Sequence, residues 1–360
     1  MARRLVAAFS AAVAILGGKL DPSARADPLN LALPTDNDRL LQGDPAGFYQ
    51  YVRRDFEGVQ TLSWEGGQYG FVRNPHRIGS EVIYTRFHEG IDIRPLHRDA
   101  SGEPEDVIMA IAPGEVVYAN TQPHASNYGR YVVVKHQFDG SPYFSLYAHL
   151  KTVSVQPGDR VEARSPLAIM GHSGEGLDRE RAHVHVELNL MLNEAFDAWY
   201  GRHYRSDANR HGLYNGMNLQ GIDLGRLYLA LQHDPNFTIP QFLKQETVWY
   251  RVCVPSSAQM DILDRYPWLL PSGRRTAPAW EIAFAQSGVP VSVEPVEHAP
   301  LGPELTWVHP SPYPQQMLTR GYVHGTAPSC HLSAEGLSYL DLICPGSTPE
   351  PFQSQRHEGP

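Results

Sequence analysis

Cysteine is scarce in this chain of 360 residues, which contains only Cys253, Cys330 and Cys344. No two of them form a C-x-x-C pair, so a zinc knuckle built from thiolates is not expected. Cys330 and Cys344 are closest in sequence, and we expect them to pair if the chain folds where disulfides persist, leaving Cys253 free. Spacing alone does not define connectivity, so the other pairings stay open.

Basic charge and long apolar runs are also limited. The chain has 30 Lys and Arg against 39 Asp and Glu, a formal net charge of −9. Because nucleic-acid-binding proteins present a basic face, no nucleic-acid partner is expected. The body of the chain lacks a run of 18 apolar residues, so no spanning helix is expected there. At about 100–200 residues per domain, the length suggests roughly two globular domains.

The first 26 residues have the order of a secretory signal peptide. Two arginines precede an apolar run at residues 5–18, and Ala24-Arg25-Ala26 forms an A-x-A cleavage pattern. The sequence therefore predicts export to the periplasm, cell envelope or extracellular space, with no membrane contact after cleavage. An uncleaved N-terminal anchor is the alternative, although the run is short for a membrane span.

Turn-forming residues are abundant, with 31 glycines and 30 prolines, and they favour short strands over long helices. Between about residues 64 and 190, runs rich in Val, Ile, Tyr and Phe alternate with turn residues, which predicts strands. The connections are too short for crossover helices, so the sheet is expected to be antiparallel. GRLYLALQ at residues 225–232 predicts one amphipathic helix. We therefore expect a mainly β fold with a helical segment and a second, β-rich C-terminal domain.

These patterns divide the chain into five parts. They are the signal peptide at 1–26, an N-terminal extension at 27–63, the antiparallel β domain at 64–200, a helical connector at 201–245 and a C-terminal β-rich domain of unknown role at 246–360. Aromatic residues of the last part either fill a core, the commoner outcome, or line a glycan-binding face. They are Trp249, Tyr250, Trp268, Trp280 and Trp307.

Five polar residues on three predicted strands or strand edges indicate chemistry. They are His88 and Asp92 in RFHEGIDI, His149 in LYAHL, and His183 and His185 in RAHVHVEL. Side chains two apart on a strand share a face, so the last two histidines can point into one groove. Two imidazoles and one carboxylate form a three-ligand zinc site with an open fourth position, which is typical of catalytic zinc. The additional histidines suit general acid–base work, because imidazole titrates near neutrality.

The motifs H-x-G-x-D at 88–92, Y-A-H-L at 147–150 and H-x-H with a following acidic residue at 183–187 resemble the lysostaphin/LytM-type zinc metallopeptidases. APGEVVYAN, NYGRYVVVKH and VQPGDRVEARSPLAIMGHSG resemble further segments of that family, in the same order, so that the likeness covers about residues 64–190.

The resemblance implies zinc on His88, Asp92 and His185, with His149 and His183 as the catalytic histidines. It also implies a LytM/duplicated-hybrid-motif-like fold and hydrolysis of peptide bonds in peptidoglycan stem or cross-bridge peptides.

Some features depart from that pattern and leave the cleaved bond open. Arg181-Ala182 stands where the family usually has Gly-Pro, and an insert occupies residues 96–106. A branch of the family that has lost ligands only activates cell-wall amidases. A non-catalytic wall-binding protein or amidase activator of the same fold is therefore the alternative, although all five positions are intact here.

Two further sequence features have competing interpretations. GHSGEG at 171–176 is similar to a serine nucleophile elbow, but Glu175 stands where the second glycine is needed, so we interpret it as a turn beside the groove. Glu89 and Glu187 either orient a ligand histidine or are exposed strand charges.

Overall fold

The computed structural model describes residues 29–50, 55–60, 62–205, 207–256 and 260–347, and the predicted signal peptide lies outside these ranges. Within them, every strand pairing is antiparallel, as the short connections predicted. No helix in the described part of the chain is long and apolar enough to cross a membrane.

The strands of the first two thirds of the chain are β1 (Asp55–Phe56), β2 (Val59–Gln60), β3 (Gly70–Ile78), β4 (Glu81–His88), β5 (Ile91–Ile93), β6 (Val107–Met109), β7 (Gly114–Asn120), β8 (Tyr131–Phe138), β9 (Ser141–Ala148), β10 (Leu150–Val153), β11 (Arg160–Val161), β12 (Pro166–Met170), β13 (Val184–Met191) and β14 (Leu219–Gly221). The later strands are β15 (Val248–Pro255), β16 (Ala279–Ala285), β17 (Pro290–Val296), β18 (Glu304–Val308), β19 (Val323–Thr326) and β20 (Ser329–Leu332). The α-helices are α1 (Pro45–Phe48), α2 (Phe196–His203), α3 (Leu224–His233), α4 (Ile239–Lys244), α5 (Ile262–Arg265) and α6 (Ala334–Ile343).

The largest sheet runs in the order β11-β7-β8-β9-β13-β14, and β5 also pairs with β13. Strand β13 is thus bordered by β9 on one side and by β5 and β14 on the other. A smaller sheet, β10-β12-β6, and the hairpin β3–β4 complete this part of the fold. The expected mainly β, antiparallel fold is confirmed.

The N-terminal segment supports the sheet from its outer side. The amide of Gln50 donates to the carbonyl of Asp92 at 2.9 Å, and that of Arg94 donates to the carbonyl of Phe48 at 3.0 Å. Helix α1 begins after Asp44, whose carboxylate accepts from the amide of Gly47. Strand β5, which carries Asp92, is therefore held on both edges.

The C-terminal region forms a four-stranded sheet, β17-β16-β15-β18, followed by the hairpin β19–β20 and helix α6. It is fixed to the end of β13: the Arg265 guanidinium donates to the carbonyl of Leu192 at 2.8 Å, and Asn193 Nδ2 donates to the carbonyl of Leu342 at 2.7 Å. One continuous set of buried apolar residues includes members of both regions, such as Val186 and Ile282. The C-terminal region is therefore packed against the first part of the chain.

The aromatic side chains of this region divide between core and surface. Tyr250 and Trp280 are buried, Trp249 and Trp268 are half-buried, and Trp307 is exposed. Tyr250 and Trp280 thus belong to the core, Trp249 and Trp268 pack against it, and the core interpretation does not hold for Trp307. The aromatic ring of Trp249 stacks on that of His309 with centroids 4.4 Å apart.

The expected disulfide between Cys330 and Cys344 is wrong, because all three cysteines are free. Cys344 is fully buried after α6, whereas Cys330 is on the half-exposed hairpin strand β20. Proximity in sequence did not bring their side chains together, because α6 separates them along the chain. Burial raises the pKa of both thiols.

Candidate active site

Strand β13 carries the centre of the site because its residues alternate between two environments. Val184, Val186 and Leu188 belong to the large apolar core, whereas His185 and Glu187 lie between them in sequence and are buried as well. Successive side chains of a strand point to opposite faces, so the polar residues share the other face. The alternation VHVEL thus places a row of polar groups in a buried position.

His88, Asp92 and His185 converge on one point, as the sequence predicted. Nε2 of His88 lies 3.0 Å from Nδ1 of His185. Oδ1 of Asp92 lies 3.0 Å from that Nδ1 and 3.2 Å from Nε2 of His88. All three residues are buried. The register of β5 on β13 sets Asp92 directly opposite His185, and β4 ends at His88.

Each of the two imidazoles donates a hydrogen bond from the ring nitrogen that faces away from the triad. The ring nitrogen that faces the other two residues is therefore an acceptor. Nδ1 of His88 is 2.7 Å from the carbonyl oxygen of Gln68, which can only accept, so Nδ1 carries the proton. Nε2 of His185 donates to Oε1 of Glu187 at 2.8 Å. Three acceptors therefore face one another at 3.0–3.2 Å, an arrangement that a cation stabilises. Zinc with bonds of about 2.0–2.1 Å spaces tetrahedral ligands roughly 3.3 Å apart, so the donor set fits this ion.

The charges around the triad keep Asp92 ionised and His88 neutral, as metal binding requires, but they favour a proton on His185. Burial raises the pKa of Asp92, but His183, His88 and Arg73 outweigh that effect and lower the pKa well below its usual range. Burial lowers the pKa of His88. Burial also opposes protonation of His185, but its hydrogen bonds to Asp92 and Glu187 prevail and raise its pKa to about 9. Without a metal, a proton on His185 is thus the cation that the site prefers.

Arg73 is a member of the site that our sequence analysis missed. Its Nη2 donates to Oδ2 of Asp92 at 2.6 Å, and its Nε donates to the carbonyl of Gly66 at 3.0 Å. Oδ2 is therefore occupied, and Oδ1 is the oxygen left facing the histidines. The sequence around Arg73 does not indicate this contact, because only the pairing of β3 with β4, at Gly70 and His88, brings Arg73 beside Asp92.

His149 and His183 lie next to the triad. Their ring centroids are 4.9 Å apart, and that of His149 is 5.9 Å from that of His185. Nδ1 of His149 is anchored to the carbonyl of Ser173 at 2.9 Å, and Nδ1 of His183 to that of Arg181 at 2.7 Å. Each imidazole is thus held in the tautomer that leaves Nε2 able to accept a proton. Nε2 of His183 lies 3.3 Å from Oδ1 of Asp92.

His149 adopts a backbone conformation that suggests a functional constraint. It has φ of +63° at the junction of β9 and β10. For a residue other than glycine, such a conformation costs on the order of 1–3 kcal/mol and is often found at functional sites. Burial, reinforced by His183 and His185, lowers the pKa of His149 well below its usual range. His149 is therefore neutral at neutral pH and can accept a proton.

Neither Glu89 nor Glu187 is an exposed strand charge. Glu187 is fully buried and accepts from His185 Nε2, so it orients that imidazole. Glu89 is 9% exposed and pairs with Arg320 at 3.0 Å. Glu187 thus orients a predicted ligand histidine, which was one of the two interpretations left open by the sequence.

Gly90 allows two backbone segments to approach closely. A Cβ at this position would overlap the carbonyl oxygen of Val186 and lie 3.0 Å from Nε2 of His185. His88 and Asp92 do not share one regular strand, because β4 ends at His88 and β5 begins at Ile91. Their side chains meet because the chain bends at Glu89 and Gly90.

The insert at residues 96–106 forms a rim with the segment that precedes β13. Nη1 of Arg98 donates to the carbonyl of Arg179 at 2.7 Å, and His172 Nε2 lies 3.2 Å from Glu103 Oε2. His172 is thus paired with the insert. The turn at 171–176 shows no nucleophile elbow chemistry, since Ser173 Oγ donates to the carbonyl of Leu150.

Comparisons with known proteins agree with this arrangement. Residues 86–197 match the model of peptidase family M23. An uncharacterized metalloprotease of Buchnera aphidicola subsp. Baizongia pistaciae (strain Bp) is 29% identical over 118 residues, which cover 32% of this chain and 27% of that protein. The match thus spans about a quarter of that relative's length.

Similar solved structures include a zinc-containing peptidase from Vibrio cholerae, with 21% identity, coverage of 39% of this chain and 36% of that one, and a TM-score of 0.25. The catalytic domain of lysostaphin from Staphylococcus simulans has 24% identity, coverage of 34% and 75%, and a TM-score of 0.24.

The matched segment contains all five predicted site residues and lies in the antiparallel part of the fold. Over that segment the chain is similar to peptidase family M23. The predicted resemblance to lysostaphin/LytM-type enzymes is therefore confirmed.

Proposed function

We propose that this chain is an exported, zinc-dependent endopeptidase that hydrolyses peptide bonds in peptidoglycan stem or cross-bridge peptides. One observation carries the proposal: three buried acceptors from His88, Asp92 and His185 converge beside two further imidazoles. The similarity of residues 86–197 to the M23 family supports peptide hydrolysis. Export rests on the signal-peptide pattern at residues 1–26.

His88 Nε2, Asp92 Oδ1 and His185 Nδ1 would hold the ion. When bound, zinc lowers the pKa of a coordinated water to about 7 and polarises the scissile carbonyl. His149 accepts the water proton at Nε2, since its Nδ1 proton is held by Ser173, and returns it to the leaving amine. His183, oriented by the carbonyl of Arg181, would donate to the negative charge that develops in the transition state when its Nε2 carries a proton.

Two variants of the mature protein distinguish the residues that bind the metal from those that transfer the proton. His149→Ala should retain zinc but lose at least about 100-fold in turnover, the lower range for a general acid–base group. Asp92→Ala should lose zinc affinity, because it removes a ligand and leaves Arg73 without its partner. His97→Ala, at an exposed loop position, is the matched control and should behave as wild type.

The assay is mass spectrometry of purified sacculi digested by each zinc-loaded protein, with metal content measured in parallel. New peptide-cleaved products from wild type but not from His149→Ala support the proposal, and their masses identify the bond. Absence of products from zinc-loaded wild type contradicts it and favours the wall-binding or amidase-activating alternative. Full zinc loading of Asp92→Ala contradicts the ligand assignment.

A further inference from the structure

A cavity of about 640 Å³ lies beside the metal-binding triad and is bounded by three parts of the chain. Glu89 and Tyr128 come from the metallopeptidase domain, Trp199 from α2, and Arg320 and Tyr322 from the C-terminal region. The volume is within the range of about 300–1,000 Å³ that small-molecule sites occupy. The C-terminal region thus supplies part of a wall beside the proposed active site.

Tyr128 lines the cavity and also contacts the groups beside the triad. The hydroxyl of Tyr128 donates to Oε1 of Glu187 at 2.7 Å, and the same oxygen accepts from Nε2 of His185. The rings of Tyr128 and His185 have centroids 5.7 Å apart. A molecule in the cavity therefore contacts a residue that touches the groups orienting a predicted metal ligand.

The C-terminal wall is held rigidly against the metallopeptidase domain. Nη2 of Arg320 donates to Oε1 of Glu89 at 3.0 Å, and the guanidinium carbon lies 5.1 Å from the centroid of the Phe87 ring. Phe87 and Glu89 flank His88 in sequence. The ring of Tyr322, which also lines the cavity, stacks on that of Tyr339 with centroids 4.4 Å apart. The wall is thus a fixed part of the site.

The lining chemistry favours a neutral, hydroxyl-rich ligand. Seven of the lining side chains are Tyr or Trp, and the charged ones are nearly balanced, with three acidic and two basic. Aromatic faces pack against the C–H faces of a sugar ring, and phenol and amide groups bond to its hydroxyl and acetamido groups. An anion site would carry excess positive charge instead.

We propose that this cavity binds an N-acetylated amino-sugar unit of the substrate, so that the enzyme prefers peptides still attached to the glycan strand. The inference rests on the proposed function, because it assigns the cavity to the glycan that neighbours the cleaved peptide. It gives the C-terminal region a role in substrate selection.

The test is binding, measured by titration calorimetry on the zinc-loaded mature chain carrying His149→Ala, which should prevent turnover. The two probes are a soluble disaccharide–stem peptide and the same peptide without sugars. We expect the sugar-bearing probe to bind at least ten-fold more tightly. Equal affinities for the two probes would overturn the inference.

Two variants in that background locate the preference. Met217 lines the cavity and is 40% exposed, so Met217→Trp should fill the space and abolish the preference. Leu229→Trp, 41% exposed on α3 and outside the lining, is the matched control and should retain it. Tyr322→Ala, which removes a ring, is the second cavity variant. A preference that survives in both folded cavity variants would also overturn the inference.

The outcome is separable from that of the proposed function. If the active enzyme cleaves sacculi but both probes bind equally, the endopeptidase proposal is supported and the sugar site is refuted. If the sugar-bearing probe binds more tightly but no cleavage occurs, the sugar site is supported and the endopeptidase proposal is refuted.

Discussion

Glu187 is a sensitive position outside the metal ligands, because three donors converge on it. Oε1 accepts from Nε2 of His185 at 2.8 Å and from the Tyr128 hydroxyl at 2.7 Å, and Oε2 accepts from Nδ2 of Asn189 at 2.9 Å. The carboxylate is fully buried, so water does not replace it as an acceptor. Burial raises its pKa, but the hydrogen bond from His185 and the other contacts prevail and lower it.

Glu187→Ala removes the acceptor of all three donors. Leaving one buried group unsatisfied costs about 1–3 kcal/mol, and removing one partner of a buried ion pair costs about 3–5 kcal/mol. Because these costs overlap, we expect the metal-free protein to lose about 3–5 kcal/mol of unfolding free energy. Loss of the group that orients His185 should also weaken zinc binding about 10–100-fold.

Glu187→Gln should be milder, for a reason visible in the structure. Its amide oxygen can still accept from His185 and Tyr128, but its NH₂ group meets Nδ2 of Asn189. A flip of the Asn189 amide relieves this clash, since Oδ1 of Asn189 has no hydrogen-bond partner. The flip loses the 3.3 Å bond from Nδ2 to the carbonyl of Phe144 and turns Oδ1 towards that carbonyl oxygen. We expect a loss of about 1–2 kcal/mol, typical of one or two hydrogen bonds.

The assay combines zinc affinity from competition with a chromophoric chelator and denaturant unfolding of the metal-free protein. Glu115→Ala, at a half-exposed position on β7, is the control and should change stability by less than about 0.5 kcal/mol. The reasoning is refuted if Glu187→Ala binds zinc as wild type does, or if the Ala variant is more stable than the Gln variant.

Two further predictions concern packing and pH. Gly90→Ala should destabilise the fold and weaken zinc binding, since its Cβ would overlap the Val186 carbonyl. Gly201 on helix α2 has nothing within 4 Å of such a Cβ, so Gly201→Ala should raise the free energy of unfolding by denaturant by up to about 1 kcal/mol. Equal effects of the two substitutions would contradict the packing argument. Burial lowers the pKa of His136 to about 4, so the unfolded chain takes up a proton near pH 6.5 that the folded chain resists. Through this residue, the free energy of unfolding should fall by about 3 kcal/mol between pH 6.5 and 4. Denaturant unfolding at several pH values should show a smaller fall for His136→Gln than for wild type. The same fall in both proteins would contradict this prediction.

The local features of the site were predictable because they depend on short-range geometry. The alternation of apolar and polar residues in VHVEL determines which face of β13 each side chain occupies, so the sequence predicts that His183 and His185 act together. Strand pairing without crossovers followed from connections too short to contain helices.

Contacts between distant segments were not predictable from the pattern. Arg73 reaches Asp92 from 19 positions away through a neighbouring hairpin, and nothing in its own segment marks it. The predicted pairing of Cys330 with Cys344 was wrong for the same reason. Helix α6 lies between the two cysteines, and their closeness in sequence does not determine the distance between their side chains. The domain boundaries at 200 and 245 stay predictions.

The sequence by itself predicted the metal-ligand set, the antiparallel class of the sheet and the family resemblance, because each depends on residue identity and spacing within single segments. The tertiary structure alone decided what surrounds the site. Arg320 meets Glu89 across 231 positions, and a region with no recognisable motif becomes a wall beside the predicted metal ligands. Such contacts depend on how whole sheets pack, and the free energy of that packing is spread over many apolar residues, none of which specifies the contact.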